Sequence, residues 1–222
     1  MKRNIVYILI FALAVIITGC EYDNYDEPTS MLTGTVNYNG VAVGVKSGAT
    51  QLELWQYGYQ LRSKIAVHIA QDGTYSARLF DGNYKMVRLA GAPWLTPTDS
   101  MDVVVKGNTV FDVPVTPYYT ISNETITNSA GVITANCMIN KIGTLGITNV
   151  QLLIGKTAVV DVTYNAAQTT LTSGLGDLTT SKTLTLTLPD ALKALPYVYA
   201  RLAVRISGVA ERYYSPIYKI TL

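Results

Sequence analysis

Thr183–Leu188 (TLTLTL) and Val198–Ile206 (VYARLAVRI) place an apolar residue at every second position. A period of two is typical of a β-strand that has one buried face and one wet face. From Met31 onward the chain consists of short runs of this kind, separated by Gly, Asn, Asp and Pro. Such a series predicts a sandwich or a barrel. We therefore predict an all-β protein, in which only Pro189–Pro196 (PDALKALP) favours a short helix.

The candidate strands form two groups, which we predict to be two β-sandwich modules in tandem over residues 31–115 and 116–222. The strands predicted in the first module are Leu32–Tyr38, Thr50–Tyr57, Lys64–Ala70, Thr74–Phe80, Tyr84–Leu89, Met101–Lys106 and Thr109–Val113. Those predicted in the second are Tyr118–Ser122, Val132–Asn140, Ile147–Gly155, Val159–Tyr164, Thr183–Leu188, Tyr197–Ile206 and Ile217–Leu222. Because no long linker separates the groups at Val115-Thr116-Pro117, we expect the modules to pack end to end.

Three short motifs mark turns and strand starts in the first module: Leu32–Val36 (LTGTV), Asp72–Tyr75 (DGTY) and Asp81–Met86 (DGNYKM). They resemble the G-x-V opening, the D-G-x-Y hairpin and the G-x-Y strand start of the prealbumin-like carboxypeptidase regulatory domain. The resemblance implies a prealbumin-like sandwich, although the Gly-x-Pro-Val of that family is Gly40–Val43 (GVAV) here. The number and spacing of strands in the second module suit an immunoglobulin-like or fibronectin type III-like sandwich.

The N-terminus has the pattern of a secretory signal. Two basic residues precede an apolar run over residues 5–17, which is shorter than the ~20 residues needed to span a bilayer. The run ends in Ile17-Thr18-Gly19-Cys20, which resembles the bacterial lipobox. We predict a signal peptide over residues 1–19 and a lipid anchor on Cys20, which ties the protein to a membrane. The alternative is an ordinary secretory signal that happens to contain a Cys.

Residues 20–30 (CEYDNYDEPTS) are predicted to form a flexible tether. Their four acidic residues also resemble the signal that follows the lipidated Cys in Bacteroidetes lipoproteins. That signal directs such proteins to the outer face of the outer membrane. The resemblance therefore implies a lipid-anchored protein of the outer membrane that faces the cell exterior.

The combination of lipobox, prealbumin-like module and immunoglobulin-like module resembles a Bacteroidetes outer-membrane lipoprotein family of unknown function. Leu52–Tyr59 (LELWQYGY) is similar to an L-x-E-Y-G-Y stretch of that family. Its members tend to be encoded beside starch-utilisation-type uptake systems. The resemblance implies an accessory subunit of a polysaccharide uptake complex.

Enzymatic and nucleic-acid-binding functions find little support in the composition. Charged residues make up only 14%, and the chain has one His and a formal net charge of +2, which leaves no excess for a phosphate backbone. His68 is out of phase with the apolar residues of its strand, so we expect it on the surface. Asp99-Ser100-Met101-Asp102 suits a turn better than a calcium loop. We predict no catalytic residue, no metal and no cofactor, and therefore not an enzyme.

The aromatic residues indicate a binding surface. The chain has 16 Tyr and 2 Trp against 3 Phe, so most rings carry a polar group and suit half-wet surfaces. Trp55 and Tyr57 alternate with Leu52 and Leu54 and so lie on the opposite strand face. The candidate ligand-binding residues are Trp55, Tyr57, Tyr59 and Trp94. The commoner role of such rings in a small sandwich is to fill a cleft between modules or to cover a sheet face.

Two further predictions concern the second module. Cys137 is in phase with the apolar residues of its strand, which predicts a buried, unreactive thiol. Arg201 and Arg205 lie on the opposite strand face from Leu202 and Val204. We expect a solvated face there, with contact to an acidic sugar as the alternative.

These observations together predict a non-catalytic surface lipoprotein that acts as a glycan-binding or scaffold subunit of an outer-membrane polysaccharide uptake system. The alternative is a structural or adhesive protein whose sheets contact other proteins without a sugar ligand.

Overall fold

The computed structural model describes residues 26–58 and 62–222 and shows an almost purely β protein in two modules. The predicted signal peptide, Cys20, the start of the tether and Tyr59 lie outside the described residues. In the described ranges the longest helix has four residues, so none there is long enough to cross a membrane.

The first module consists of two sheets. Its strands are β1 Ser30–Tyr38, β2 Val41–Ala42, β3 Gln51–Gln56, β4 Lys64–His68, β5 Thr74–Leu79, β6 Gly82–Arg88, β7 Met101–Val105, β8 Asn108–Val110 and β9 Val113–Pro114. In one sheet β1 pairs with β2 and β5 in antiparallel and with β8 and β9 in parallel orientation. The other is an antiparallel sheet in the order β4-β3-β6-β7.

The second module also has two sheets. Its elements are β10 Tyr119–Ser129, β11 Val132–Lys141, β12 Ile147–Gly155, β13 Ala167–Leu171, β14 Lys182–Thr187, α1 Asp190–Lys193, β15 Tyr197–Ile206, β16 Tyr213–Tyr214 and β17 Tyr218–Thr221. One sheet has the order β10-β11-β14, and the other has β13-β12-β15 with β16 and β17 both paired to β15. The all-β prediction is confirmed.

One hydrophobic core runs through both modules. Its fully buried side chains include Leu32 and Leu52 from the two sheets of the first module and Ile133 and Leu202 from those of the second. Backbone contacts join the modules as well, since the Tyr214 N–H donates to the Gly44 carbonyl over 3.1 Å. The modules therefore pack against each other.

Most predicted strands of the described residues are present, but the predicted strand Val159–Tyr164 is wrong. These residues form a turn-rich loop between β12 and β13, and Val160 in it is fully buried. Val160 packs with Leu153 of β12 and Ala203 of β15 on the outer side of their sheet. The apolar residues of the loop thus serve to cover a sheet face, which explains why they resemble a strand.

This cover changes the environment of β15. A strand with a core on one side and a loop on the other is buried on both faces, and residues 200–204 of β15 are all buried. Arg201 is only 1% exposed. The expectation of a solvated face at Arg201 is therefore wrong, because the loop after β12 and the first module cover it.

Buried acids predict a loss of stability at alkaline pH. Burial raises the pKa of the Cys137 thiol to about 11 and those of the Tyr213 and Tyr214 hydroxyls to about 12. Above pH ~9 the unfolded chain releases these protons while the folded protein keeps them, so the free energy of unfolding falls as pH rises. We expect a loss of roughly 3 kcal/mol or more between pH 9 and pH 12, measured by urea unfolding. A Cys137→Ala variant should lose less over pH 9–11, and a constant urea midpoint across this window would disprove the assignment.

Candidate functional site

The outer face of the β4-β3-β6-β7 sheet carries Trp55. Leu52 and Leu54 of β3 are fully buried, so Glu53 and Trp55 between and beyond them lie on the other face. Trp55 is half-buried, and its neighbours across the sheet are Lys64 on β4 and Lys85 on β6. We call the surface formed by Glu53, Trp55, Lys64, Lys85 and Asp102 the Trp55 face.

Glu53 fixes the indole of Trp55. One carboxylate oxygen of Glu53 accepts a hydrogen bond from Trp55 Nε1 over 3.3 Å, and the other accepts from Lys64 Nζ over 2.6 Å. The Glu53 side chain is itself only 11% exposed. A hydrogen bond to a shielded carboxylate is stronger than one in water. The edge of the indole is therefore held in one orientation before any ligand arrives.

Two ion pairs flank the indole. Lys64 pairs with Glu53, and Lys85 Nζ lies 2.5 Å from Asp102 Oδ1 on the neighbouring strand β7. Each ammonium has three N–H donors and Asp102 keeps a second oxygen, so the side chains have capacity for further hydrogen bonds. Val104, also on β7, adds an apolar side chain that is 65% exposed. The surface thus combines a ring, an apolar patch and polar groups that can donate or accept.

Tyr57 extends the aromatic surface beyond the end of β3. Its side chain is 55% exposed, and the guanidinium carbon of Arg62 lies 5.1 Å from the centre of its ring. Such a cation–π contact restrains the ring without burying it. Two of the four residues predicted as ligand contacts, Trp55 and Tyr57, therefore lie close together in the chain and are accessible.

Trp94 occupies a different environment. It is 1% exposed and forms an isolated β-bridge with Pro117 at the junction of the modules. Flanking backbone bonds from Leu95 N to Thr116 O and from Tyr118 N to Pro93 O hold this segment in place. A ligand cannot stack on a ring that is inside the protein. We therefore leave Trp94 out of the candidate site and assign it to the core. Its ring fills the space between the modules, which is the alternative role given above for such rings.

The polar residues considered for a catalytic or metal site do not lie together. His68 is exposed, with the Gln51 amide nitrogen 3.3 Å from its Nδ1. Asp99 pairs with Arg88 and Asp102 pairs with Lys85, so the two carboxylates of the supposed calcium loop bind different cations of β6. Within the described residues, no group of three or more His, Cys, Asp or Glu side chains could hold a metal ion.

Sequence reasoning missed the polar half of the Trp55 face. Lys64, Lys85 and Asp102 are far from Trp55 in the chain and meet it only through the pairing of β3 with β4 and β6, and of β6 with β7. Predicting these three residues would require the register between neighbouring strands, and alternation within one strand does not give that register.

Both modules match models of one protein family. Residues 30–116 match the N-terminal domain of a protein of unknown function, DUF3823, and residues 119–219 match the domain of unknown function DUF3823_C. No curated protein matches the chain.

Several crystal structures are similar over nearly the whole described chain. A DUF3823 family protein from Bacteroides ovatus is 38% identical, with a TM-score of 0.82 and coverage of 87% of this chain and 99% of that one. One from Parabacteroides merdae is 33% identical, with a TM-score of 0.81 and coverage of 88% and 100%. A protein from Bacteroides uniformis described as a "putative carbohydrate binding protein" is 19% identical, with a TM-score of 0.73 and coverage of 88% and 100%. At that identity the likeness extends to the fold alone.

Proposed function

The chain belongs to the two-domain DUF3823 family, whose function is unknown, and we propose that it is a non-catalytic, lipid-anchored surface protein that binds glycans. In this proposal it serves as an accessory subunit of an outer-membrane polysaccharide uptake system and holds sugar chains near the transporter. Cys20 carries the anchor, and residues 20–29, which precede β1, provide reach. A chain of that length spans at most about 35 Å.

The observation that carries the proposal is the indole of Trp55, which is held by Glu53 on an accessible sheet face. Sugar rings have C–H faces that pack on aromatic rings, and their hydroxyl groups need donors and acceptors around the ring. Lys64, Lys85 and Asp102 supply those groups. Because the indole is already fixed, binding costs little side-chain entropy.

The description of one structural neighbour as carbohydrate-binding supports this proposal, as does the sequence resemblance to proteins encoded beside uptake systems. The chemistry of the Trp55 face supports it independently. No group on that face is placed as a nucleophile beside a base, which favours binding over catalysis.

We expect Trp55→Ala to weaken glycan binding at the Trp55 face at least fivefold. Stacking of a nucleic-acid base on an aromatic side chain contributes on the order of 1–3 kcal/mol, and the same range for a sugar ring corresponds to roughly 5- to 150-fold in affinity. The measurement is isothermal titration of a soluble chain beginning at Glu21 with cellohexaose, maltoheptaose and mannohexaose. Tyr164→Ala is the matched control, because Tyr164 is an exposed aromatic residue in the second module.

Equal affinities of the Trp55→Ala variant and the unaltered chain would remove the Trp55 face as a sugar site. If the unaltered chain bound none of these glycans, the proposal would fail. The exposed Val104 on the same sheet face would then favour the alternative of a structural protein that contacts other proteins.

A further inference from the structure

We propose that a groove of the first module, beside residues 114–116 that lead into the second module, is a second, independent binding site for neutral oligosaccharides. A cleft of about 460 Å³ opens there. Residues 37–39, 95–97 and 114–116 line it, together with Arg88 and Asp99. Its volume lies in the range of about 300–1,000 Å³ that is typical of small-molecule sites. We call it the junction cleft. Its ligand class rests on the proposed function, but its residues are not those of the Trp55 face.

Arg88 and Asp99 form the polar wall of the junction cleft. Arg88 Nη2 donates to Asp99 Oδ1 over 2.6 Å, and Arg88 Nη1 donates to the Pro114 carbonyl over 2.8 Å. The Arg88 side chain is 11% exposed, whereas that of Asp99 is 71% exposed. The guanidinium is therefore a fixed part of the wall, and the carboxylate presents its second oxygen to a ligand.

The charge balance of the cleft selects a neutral ligand. The charge of Arg88 is matched by Asp99, and both of its terminal nitrogens already donate to protein oxygens. An anionic sugar would meet the exposed Asp99 carboxylate, which repels it. Hydroxyl groups of a neutral sugar, in contrast, can donate to that carboxylate.

Apolar side chains also line the cleft. They are those of Leu95, which is 40% exposed, Pro97 and Tyr38. Asn39 and Thr96 add an amide and a hydroxyl group that can donate as well as accept. A lining that combines apolar side chains with hydrogen-bonding groups suits a pyranose ring, which has C–H faces and a hydroxyl rim.

A tight turn borders both the junction cleft and a smaller cleft that includes residues of the second module. Asn39 and Gly40 connect β1 to β2 with φ values of +51° and +79°, as a two-residue hairpin turn requires. This second cleft has a volume of about 250 Å³, is more apolar and includes Ile121 and Tyr213 of the second module. Both clefts share Tyr38 and Asn39. A sugar chain of several units can therefore cross the turn and contact both modules.

The junction cleft and the Trp55 face are on different sides of their sheet. Arg88 pairs with Leu52, and Tyr84 and Met86, in the same phase of β6 as Arg88, are buried. Lys85 has the opposite phase and belongs to the Trp55 face. One ligand unit cannot occupy both sites, so substitutions in each can be tested separately.

The test compares Asp99→Ala with Asp190→Ala in titrations of the soluble chain with cellohexaose, maltoheptaose, mannohexaose and hexagalacturonate. Asp190 is the control, because it is also an exposed carboxylate in an ion pair. We expect at least one neutral glycan to bind at two sites. Asp99→Ala should weaken one of them at least tenfold, Trp55→Ala should weaken the other, and Asp190→Ala should change neither. Leu95→Asp, at an apolar residue of the lining, should reproduce the loss seen for Asp99→Ala.

Two results would overturn the second site: unchanged binding in both Asp99→Ala and Leu95→Asp, or tighter binding of hexagalacturonate than of the neutral glycans at the site that these substitutions affect. In the first case a loss in Trp55→Ala alone would leave the proposed function intact. Conversely, losses in the cleft variants without a loss in Trp55→Ala would support the junction cleft and refute the Trp55 face.

Discussion

Arg201→Met should lower the free energy of unfolding by about 3–5 kcal/mol, because Arg201 joins the two modules from inside the protein. Arg201 Nε donates to the Ser215 carbonyl over 2.8 Å, and Nη1 donates to the Val45 and Val160 carbonyls over 3.1 Å and 3.2 Å. Nη2 donates to the Gln71 carbonyl. Two of these acceptors belong to each module. Met has similar length but no donor, so it would leave four buried carbonyl oxygens without this partner.

The guanidinium is suited to this position by its shape and charge. Its central carbon lies 4.5 Å from the centre of the Tyr214 ring, which adds a cation–π contact. Burial lowers the pKa of Arg201 to about 10, and the group remains protonated at neutral pH. A Lys ammonium has three donors at one point and cannot reach four separate carbonyl oxygens. Arg201→Lys should therefore be destabilising as well, although it keeps the charge.

The measurement is urea unfolding at neutral pH, with Arg205→Met as the matched control. Arg205 lies four residues further along β15, is only half-buried and donates one backbone hydrogen bond, to Ala210 over 3.1 Å. We expect its replacement to cost about 1 kcal/mol or less. Equal losses in the two Met variants would show that Arg201 does not hold the modules together.

Gly44→Ala should cost about 3 kcal/mol, because the backbones of the two modules touch at this residue. A methyl group on Gly44 would lie 2.4 Å from the Tyr214 carbonyl oxygen and 2.9 Å from Arg201 Nη2. Real side-chain carbons do not approach backbone oxygens so closely, so Gly44 and β16 would have to move apart. That movement would also lengthen the bond from Tyr214 N to Gly44 O.

Gly176→Ala is the control for this substitution. Gly176 has a backbone conformation open to other residues and no heavy atom within 4 Å of the added carbon. Its replacement should change the urea midpoint little or raise it slightly. Because Gly44 and Arg201 share one contact, the double variant should lose less stability than the two single losses added together. A Gly44→Ala protein as stable as the Gly176→Ala protein would contradict the close packing of the modules.

The local pattern of apolar residues was sufficient to predict most of the fold. Ile147–Gly155 and Tyr197–Ile206 were predicted with the bounds they have in the structure, since each is a long run that ends at a turn. The strand Ala167–Leu171 was missed, because its residues are mostly polar and it lies at a sheet edge. These residues form a strand because they pair with β12, and the sequence of residues 167–171 alone does not indicate that pairing.

The candidate site was likewise only partly predictable from the sequence. Alternation around Leu52 and Leu54 was enough to place Trp55 on the outer face. The buried state of Trp94 and Arg201 was not predictable in this way, because it arises from contacts between the two modules. The phase of a strand indicates which face a residue occupies, but only tertiary packing decides whether that face is wet.

The most direct test of the Trp55 face is a nitrogen-15 NMR titration of the two indole N–H signals. The chain contains 2 Trp, and a Trp55→Phe variant assigns the signal of each. On addition of cellohexaose, maltoheptaose or mannohexaose, we expect the Trp55 signal to move in a saturable manner with at least one of the sugars. The Trp94 signal should stay in place, because that indole is inside the protein. A Trp55 signal that does not move with any of the three sugars would contradict the proposal that this face binds glycans.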